Sequence, residues 1–304
     1  MDRLQAMSLF AAVVDAGSLS AAGRKLDVHL ATVSRKLSDL EAHLKTRLLT
    51  RSMRQLELTD AGRDYLAACR QILEQVDEAE RTAWGAYARA KGDLVIAAPI
   101  VFGRLHMVPV VAAFLEQYPD VDIRLILGDR NMNLLEEHID LALRIGELPD
   151  SSLVATQVGS VRRVACASPA YLERFGTPRE PGALSALRCV SFEGFASSST
   201  WTFASPAGAQ RVQVRARLAA TTADAAIAAA LAGVGITRVL SYQVADALEQ
   251  GLLVRILADH EPPAVPVSLV YPGQGRLPMK TRAFIDFAAT RLRARLLPAA
   301  QVTG

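Results

Sequence analysis

Apolar positions recur every three or four residues through the first 90 positions, and in short runs or strict alternation beyond them. In residues 2–15, Leu4, Met7, Phe10, Ala11 and Val14 share one helical face, and Gly17 stands where a left-handed residue ends a helix. Ser18 offers an N-cap to a short helix, Leu19–Leu26, in which Ala21 and Ala22 permit close packing. Asp27-Val28-His29 joins it to a third helix over 30–43, whose inward stripe is Val33, Leu37, Leu40 and Leu44. Ala31, Arg35 and Ser38 then point outward, flanked by Thr32 and Ser34. Three helices with tight joints predict a helix-turn-helix. The small, polar, basic outer face suits a major groove ~12 Å wide, with Arg35 placed to reach a guanine edge. The same stripe also fits an ordinary amphipathic helix that faces only water.

From Leu48 the pattern changes to alternation. Leu49, Met53, Leu56 and Leu58 can turn inward while Arg51 and Arg54 project, which predicts a two-stranded wing touching phosphates. A solvated hairpin is the alternative. Thr59-Asp60 opens a long helix predicted to reach Arg89. Within it Tyr65, Cys69, Ile72, Val76, Ala79, Ala83 and Ala86 alternate four and three apart, a heptad seam that implies dimerisation. An intramolecular partner would serve equally, but no nearby segment matches in length.

Lys91-Gly92 ends that helix, and an alternation of strands and helices follows. Strands are predicted at 93–99, 121–127 and 141–145, with helices at 104–118 and 131–138 between them. This rhythm indicates a parallel sheet with helices on its faces. A second set has a strand at 163–167, a helix at 169–175, irregular residues 176–200, strands at 201–203 and 211–218, and helices at 222–232 and 241–249. A strand at 265–271 and a helix at 279–296 return the chain to the first set. Two crossings between lobes create a hinged cleft. Ligands in open α/β sheets sit beyond the carboxyl ends of strands and at helix N-termini, which gathers 99–103, 144–146 and 221–224.

Charge sharpens this division. Residues 1–58 carry nine Lys and Arg against six Asp and Glu, whereas the rest carries 25 of each, so the whole excess of +3 lies at the N-terminus. That suits a nucleic-acid-reading head on a neutral sensing body. The opening residues lack the layout of a secretory signal and no long uncharged apolar run occurs, so the expected location is the cytoplasm, with no membrane partner. Cys69, Cys166 and Cys189 lack metal-ligand spacing and read as buried fillers; a redox pair of Cys166 and Cys189 is disfavoured because neither has an evident basic context. The five histidines are scattered, and neither a metal nor a cofactor is expected. Ser168, His106 and Asp129 are available for catalysis, but no catalytic motif frames them, so an enzyme is not expected. A transport-type solute-binding protein would share the cleft, but has no use for the first 90 residues.

The chain resembles the LysR-type transcriptional regulators over nearly its whole length. The resemblance rests on Phe10, Val13, Asp15, Gly17-Ser18, Ala21-Ala22 and Leu26, then Val33-Ser34-Arg35, Leu40-Glu41, Leu44, Leu48-Leu49, Arg51, Leu58-Thr59 and Ala61-Gly62. Phe114, Tyr118-Pro119, Asp140-Leu141, Ala167-Ser168-Pro169, Tyr171-Leu172, Gly233 and Gly235-Ile236 extend it. It implies an α/β protein with an N-terminal all-α winged helix-turn-helix (1–58), a dimerisation helix (59–90), and two Rossmann-like, periplasmic-binding-protein-like subdomains (91–161 with 267–304, and 162–266). It also implies a homodimer or homotetramer, an operator of double-stranded DNA, a small-molecule effector, and RNA polymerase as a candidate partner. Ser34 and Arg35 fall on DNA-contacting positions and Arg51 on the wing; Ser18, His29, Thr32, Ser38 and Arg54 complete the expected DNA face. Tyr65, Cys69, Ile72, Val76 and Ala79 would dimerise. Two departures matter. His29-Leu30 replaces the Gln-Pro or Gln-Ser that opens many recognition helices, and Pro99-Ile100-Val101-Phe102-Gly103 replaces an effector-holding Ser or Thr. Arg144, Gly146, Thr221 and Thr222 still supply polar groups to the cleft, and Phe102, Phe195 and Trp201 an aromatic lining, although each aromatic also reads as core. The reading leans to a small aromatic or otherwise partly apolar acid.

Overall fold

The computed structural model describes residues 2–51, 56–83, 90–130, 132–148, 152–192, 200–273 and 277–296. They form two compact units, divided after Arg89.

The first unit opens with α1 (Arg3–Asp15), α2 (Leu19–Leu26) and α3 (Leu30–Leu44). Asp2 caps α1 by accepting from the Leu4 and Gln5 amides, and the Ser18 hydroxyl caps α2 by accepting from Ala21 N at 3.1 Å. Phe10, Val13, Val33, Leu37, Leu40 and Leu48 close over one another as the core. An antiparallel hairpin, β1 (Leu49–Arg51) and β2 (Leu56–Leu58), follows with Leu49 opposite Leu58. The helix α4 (Asp60–Ala83) completes the unit.

The expected dimer seam on α4 needs correction at its start. Cys69 is fully buried in the head's own core, and the Tyr65 ring lies 5.8 Å from that of Phe10. The first turns of α4 pack on α1, so their apolar stripe is already covered within one chain. Ile72 and Ala79 are exposed and Val76 half-buried, so these three remain accessible. Ala86, the end of the heptad pattern, lies outside the described residues.

The second unit contains two five-stranded sheets. In the first lobe the strands are β3 (Gly92–Ala98), β4 (Val121–Leu127), β5 (Leu141–Ile145) and β6 (Leu153–Val161). Helix α5 (Ile100–Gln117), with a π-helical turn over Gly103–Met107, connects β3 to β4. In the second lobe come β7 (Arg163–Ala167), α6 (Pro169–Phe175), β8 (Arg188–Phe192), the hairpin β9 (Thr200–Ser205) and β10 (Gly208–Gln213), and β11 (Arg215–Ala220). Then follow α7 (Ala223–Leu231), β12 (Ile236–Leu240), α8 (Ala245–Glu249) and β13 (Val254–Ile256). Finally β14 (Val265–Pro272) and α9 (Met279–Leu296) rejoin the first lobe. The orders are β4-β3-β5-β14-β6 and β11-β8-β12-β7-β13.

Both sheets are mixed rather than parallel. β14 runs antiparallel to β5 and β6, and β7 antiparallel to β12 and β13, because these strands enter their sheets from the crossing between lobes. The helix expected at 131–138 is also absent. Turns occupy 134–138, where Asn133 Oδ1 accepts from Leu135 N and Glu137 accepts from Asn133 N. Such local side-chain bonds compete with a helix too short to propagate. Helix α5 matches a membrane span in length and apolar composition, yet Phe102, Met107, Val110 and Phe114 lie buried in its lobe's core.

Cys166 and Cys189 fall into different core clusters, and burial pushes both thiols up to about 12. Both behave as buried fillers.

Candidate nucleic-acid interface and ligand cleft

Helix α3 buries Val33, Leu37 and Leu40 and leaves Arg35 and Ser38 exposed, with Thr32 and Ser34 half-buried at the margins. Ser38 donates to the Ser34 carbonyl at 3.0 Å, which keeps its hydroxyl against the helix. The Arg35 side chain makes no hydrogen bond or ion pair among the described residues, so its guanidinium is available to a ligand. The neighbouring Lys36, in contrast, donates to Gln5 Oε1 at 2.8 Å. His29 occupies the N-cap of α3 without a side-chain cap bond, and both it and Leu30 are exposed. Ser18 acts as the cap of α2. Arg51 ends β1 with its backbone paired to Leu56, and Arg54 lies outside the described residues.

One residue quoted in the family resemblance has a mechanical role that periodicity could not supply. The Glu41 carboxylate, on the last turns of α3, accepts from Leu48 N at 2.8 Å and Leu49 N at 3.1 Å. It fixes the start of the wing to the end of the recognition helix.

The carboxyl ends of β3, β4 and β5 border a small concavity open to solvent, lined in part by Pro99, Gly128, Met132 and Arg144. Several expected cleft residues are not at its surface. Val101 and Phe102 are buried in the lobe's core, and Gly103 is buried too, because the first turn of α5 runs over the sheet; Pro99, though largely buried, does border the concavity. Ile100 alone of that stretch is half-exposed, and its amide already donates to Asp129 Oδ1 at 3.1 Å. Arg144 donates to the Met132 carbonyl at 2.8 Å, and Gly146, at φ +116°, donates to the Pro266 carbonyl. Trp201 is buried in the second lobe's core. Phe195 lies outside the described residues.

On the second lobe Thr222 caps α7, its hydroxyl accepting from Ala225 N, while Thr221 is exposed. The lobes meet where Tyr242 packs edge-on against Phe102 and His106, with centroids 5.3 and 5.5 Å apart. Arg104 reaches Asp224 at 3.2 Å nearby, an exposed pair of modest energetic weight. Burial lowers the His106 pKa, so the ring there is held towards its neutral form.

Asp129 is the group in this cleft that pattern reading passed over as a ligand contact. Its Oδ2 is buried without a partner among the described residues. Burial raises its pKa above the ordinary carboxylate value, and Asp224 adds to the rise. A folded-state pKa above the unfolded one means that folding favours the protonated form. This contribution to stability is full below the unfolded value, about pH 4, and is lost as pH climbs through the folded value. Asp129→Asn should therefore stabilise the second unit at pH 7.5 and lose that advantage at acid pH. Urea unfolding at both pH values measures it; an equal or lower neutral-pH stability for the variant would contradict the assignment. Since a carboxylate already sits at the start of α5, an acidic ligand has little to gain there.

Comparison with known proteins agrees with both units. Residues 4–63 match the bacterial regulatory helix-turn-helix family of LysR type, and residues 88–293 the LysR substrate binding domain. An HTH-type transcriptional repressor of Pseudomonas aeruginosa is 36% identical over 94% of this chain and 91% of its own length. The full-length Vibrio cholerae virulence activator AphB superposes with a TM-score of 0.61 at 30% identity, covering 94% of this chain and 98% of that one. CrgA, a LysR-type regulator of Neisseria meningitidis, gives 0.62 at 29% identity over 95% and 98%. With a helix that turns Arg35 away from its buried face, two α/β lobes following in the sequence, and relatives that match over nearly the whole chain, this chain belongs to the LysR family of DNA-binding transcriptional regulators.

Proposed function

We propose that the protein binds an inverted-repeat operator as a homodimer or a dimer of dimers, with α3 in the major groove and the wing on phosphates. A small, partly apolar acid held between the lobes acts as effector. Its binding changes the angle between them and so biases the spacing of the DNA-reading heads. RNA polymerase is the partner through which such a shift would reach transcription. Dimerisation falls to the accessible part of α4 from Ile72 onward. The relatives act on transcription in opposite senses by their names, one a repressor and one an activator, which suits a device whose output depends on where the heads sit.

The observation that carries this reading is the exposed, unengaged Arg35 on the outer face of a helix whose other face is core. Arg35→Ala should weaken operator binding by about 1–3 kcal/mol while leaving binding to random duplex nearly unchanged. Competition gel shifts on an operator selected from a random pool measure both; unchanged discrimination would remove Arg35 from base reading.

A further inference from the structure

The second sheet keeps two arginines together without an acid. β7 and β12 are antiparallel, with Arg163 opposite Leu240 and Arg238 opposite Ala165. Residues two apart on a strand share a face, so Arg163 and Arg238 project from the same side of the sheet on adjacent strands. Both are half-buried; Arg163 opens β7 at the end of the sheet where the chain crosses from the first lobe, and Arg238 stands one step further in, at the middle of β12. Arg238 donates to the Thr202 carbonyl at 2.7 Å, and its guanidinium lies 5.5 Å from the Trp201 ring and 5.7 Å from that of Phe203. The Arg163 side chain makes no hydrogen bond or ion pair among the described residues.

Elsewhere in the same lobe a buried charge is paired: Arg255 holds Glu261, a nearly buried carboxylate, through two bonds of 2.6 Å. Burial lowers the pKa of Arg163, and that of Arg238 falls to about 10 through burial and then repulsion from Arg163. Two desolvated like charges on one face oppose folding unless an anion offsets them. Packing explains Arg238, which fastens the β9–β10 hairpin, but it does not explain Arg163. Local rules are broken most often where function requires it.

We propose that Arg163 and Arg238 form the carboxylate-binding subsite of the ligand cleft, so that the effector's acid group docks on the second lobe and its apolar part faces the first. The inference rests on the cleft being the effector site and places the anion on it. A guanidinium fork matches a planar carboxylate in geometry, and the strand ends Phe192, Ala220 and Leu240 open on the same end of the sheet. Asp129 on the facing lobe repels an anion from the alternative position at Ile100.

The test uses the full-length protein in thermal-shift titrations with acetate, benzoate and phenylacetate, each beside its amide. The carboxylates should raise the melting temperature and the amides should not. Arg163→Met should weaken the carboxylate response at least tenfold. Its ligand-free melting temperature should be equal to the parent's or higher by about 2–4 °C, because one of two repelling charges is gone. Arg163→Lys should keep part of the response. Absence of any carboxylate shift in the parent, equal shifts by the amides, an unchanged titration in Arg163→Met, or a fall in its ligand-free melting temperature would each overturn the proposal. A response lost in Thr222→Val but retained in Arg163→Met would remove the arginine pair and leave the cleft as the effector site.

Discussion

Glu41→Ala is expected to cost the DNA-reading head about 3–6 kcal/mol, from two charge-assisted hydrogen bonds at about 1.5–3 kcal/mol each. Leu48 and Leu49 are buried, and their amides have no solvent to turn to once the carboxylate is removed. A head of this size is stabilised by only about 5–15 kcal/mol in total, so a large part of that margin would go. Both bonds end on the same oxygen, Oε1, which makes the charge separable from the geometry. Glu41→Gln keeps an acceptor in that place, and since charge-assisted bonds are roughly twice as strong as neutral ones, it should lose only about half as much. Hydrogen exchange on peptides from residues 2–51, compared with peptides from the two α/β lobes, reads the loss where it occurs. Full exchange protection of the head in Glu41→Ala would show that the wing is held by other means.

The helices of the head were legible because each buries one stripe at a spacing only a helix produces. Val33, Leu37 and Leu40 meet the same core that Phe10 and Val13 enter from α1. Arg35 was legible for the same reason, as the residue opposite that stripe. Periodicity says nothing, however, about which neighbour covers a stripe. Tyr65 and Cys69 continue the heptad pattern of α4, yet they are spent on α1, and only the folded head reveals this. In the lobes, β6, β8 and the three-residue β13 escaped prediction. β6 alternates poorly because it is an edge strand with mixed exposure, and β8 is a five-residue buried run inside an otherwise irregular stretch. The cleft was least legible of all. Whether Phe102 lines a pocket or fills a core depends on how α5 lies across the sheet, and that is set by partners far along the chain, such as Phe284 against Phe114 and Tyr242 against Phe102. Arg238 did leave a trace, a charge at an inward position of the apolar run Ile236–Leu240. Its significance depends on Arg163, 75 residues earlier, standing on the adjacent strand.

Gly62→Ala should destabilise the same head by about 2 kcal/mol net, although alanine is the better helix former. A Cβ at Gly62 would lie 2.0 Å from the Leu48 carbonyl oxygen and 2.9 Å from its carbon. Both atoms are backbone, so relief requires α4 to move away from the hairpin. That carbonyl also accepts from Thr59 N at 3.0 Å, and the Thr59 hydroxyl in turn accepts from Gly62 N at 2.9 Å while donating to the Arg47 carbonyl at 2.8 Å. Movement of α4 therefore loosens the cap that starts it. Overpacking of this kind costs about 1–3 kcal/mol and sometimes more, while replacing glycine within a helix returns only about 1 kcal/mol. With the obstacle a carbonyl rather than a flexible side chain, the upper end of the cost applies and the steric term wins. The adjacent position supplies the contrast. Ala61 is exposed on the same turn, so Ala61→Gly should cost only the helix-propensity difference of about 1 kcal/mol. Chemical denaturation followed by exchange of the residue 56–83 peptides ranks the two variants. A Gly62→Ala protein as stable as its parent would mean that α4 can shift freely against the wing, and that the Leu48 peptide is not the joint between hairpin and helix.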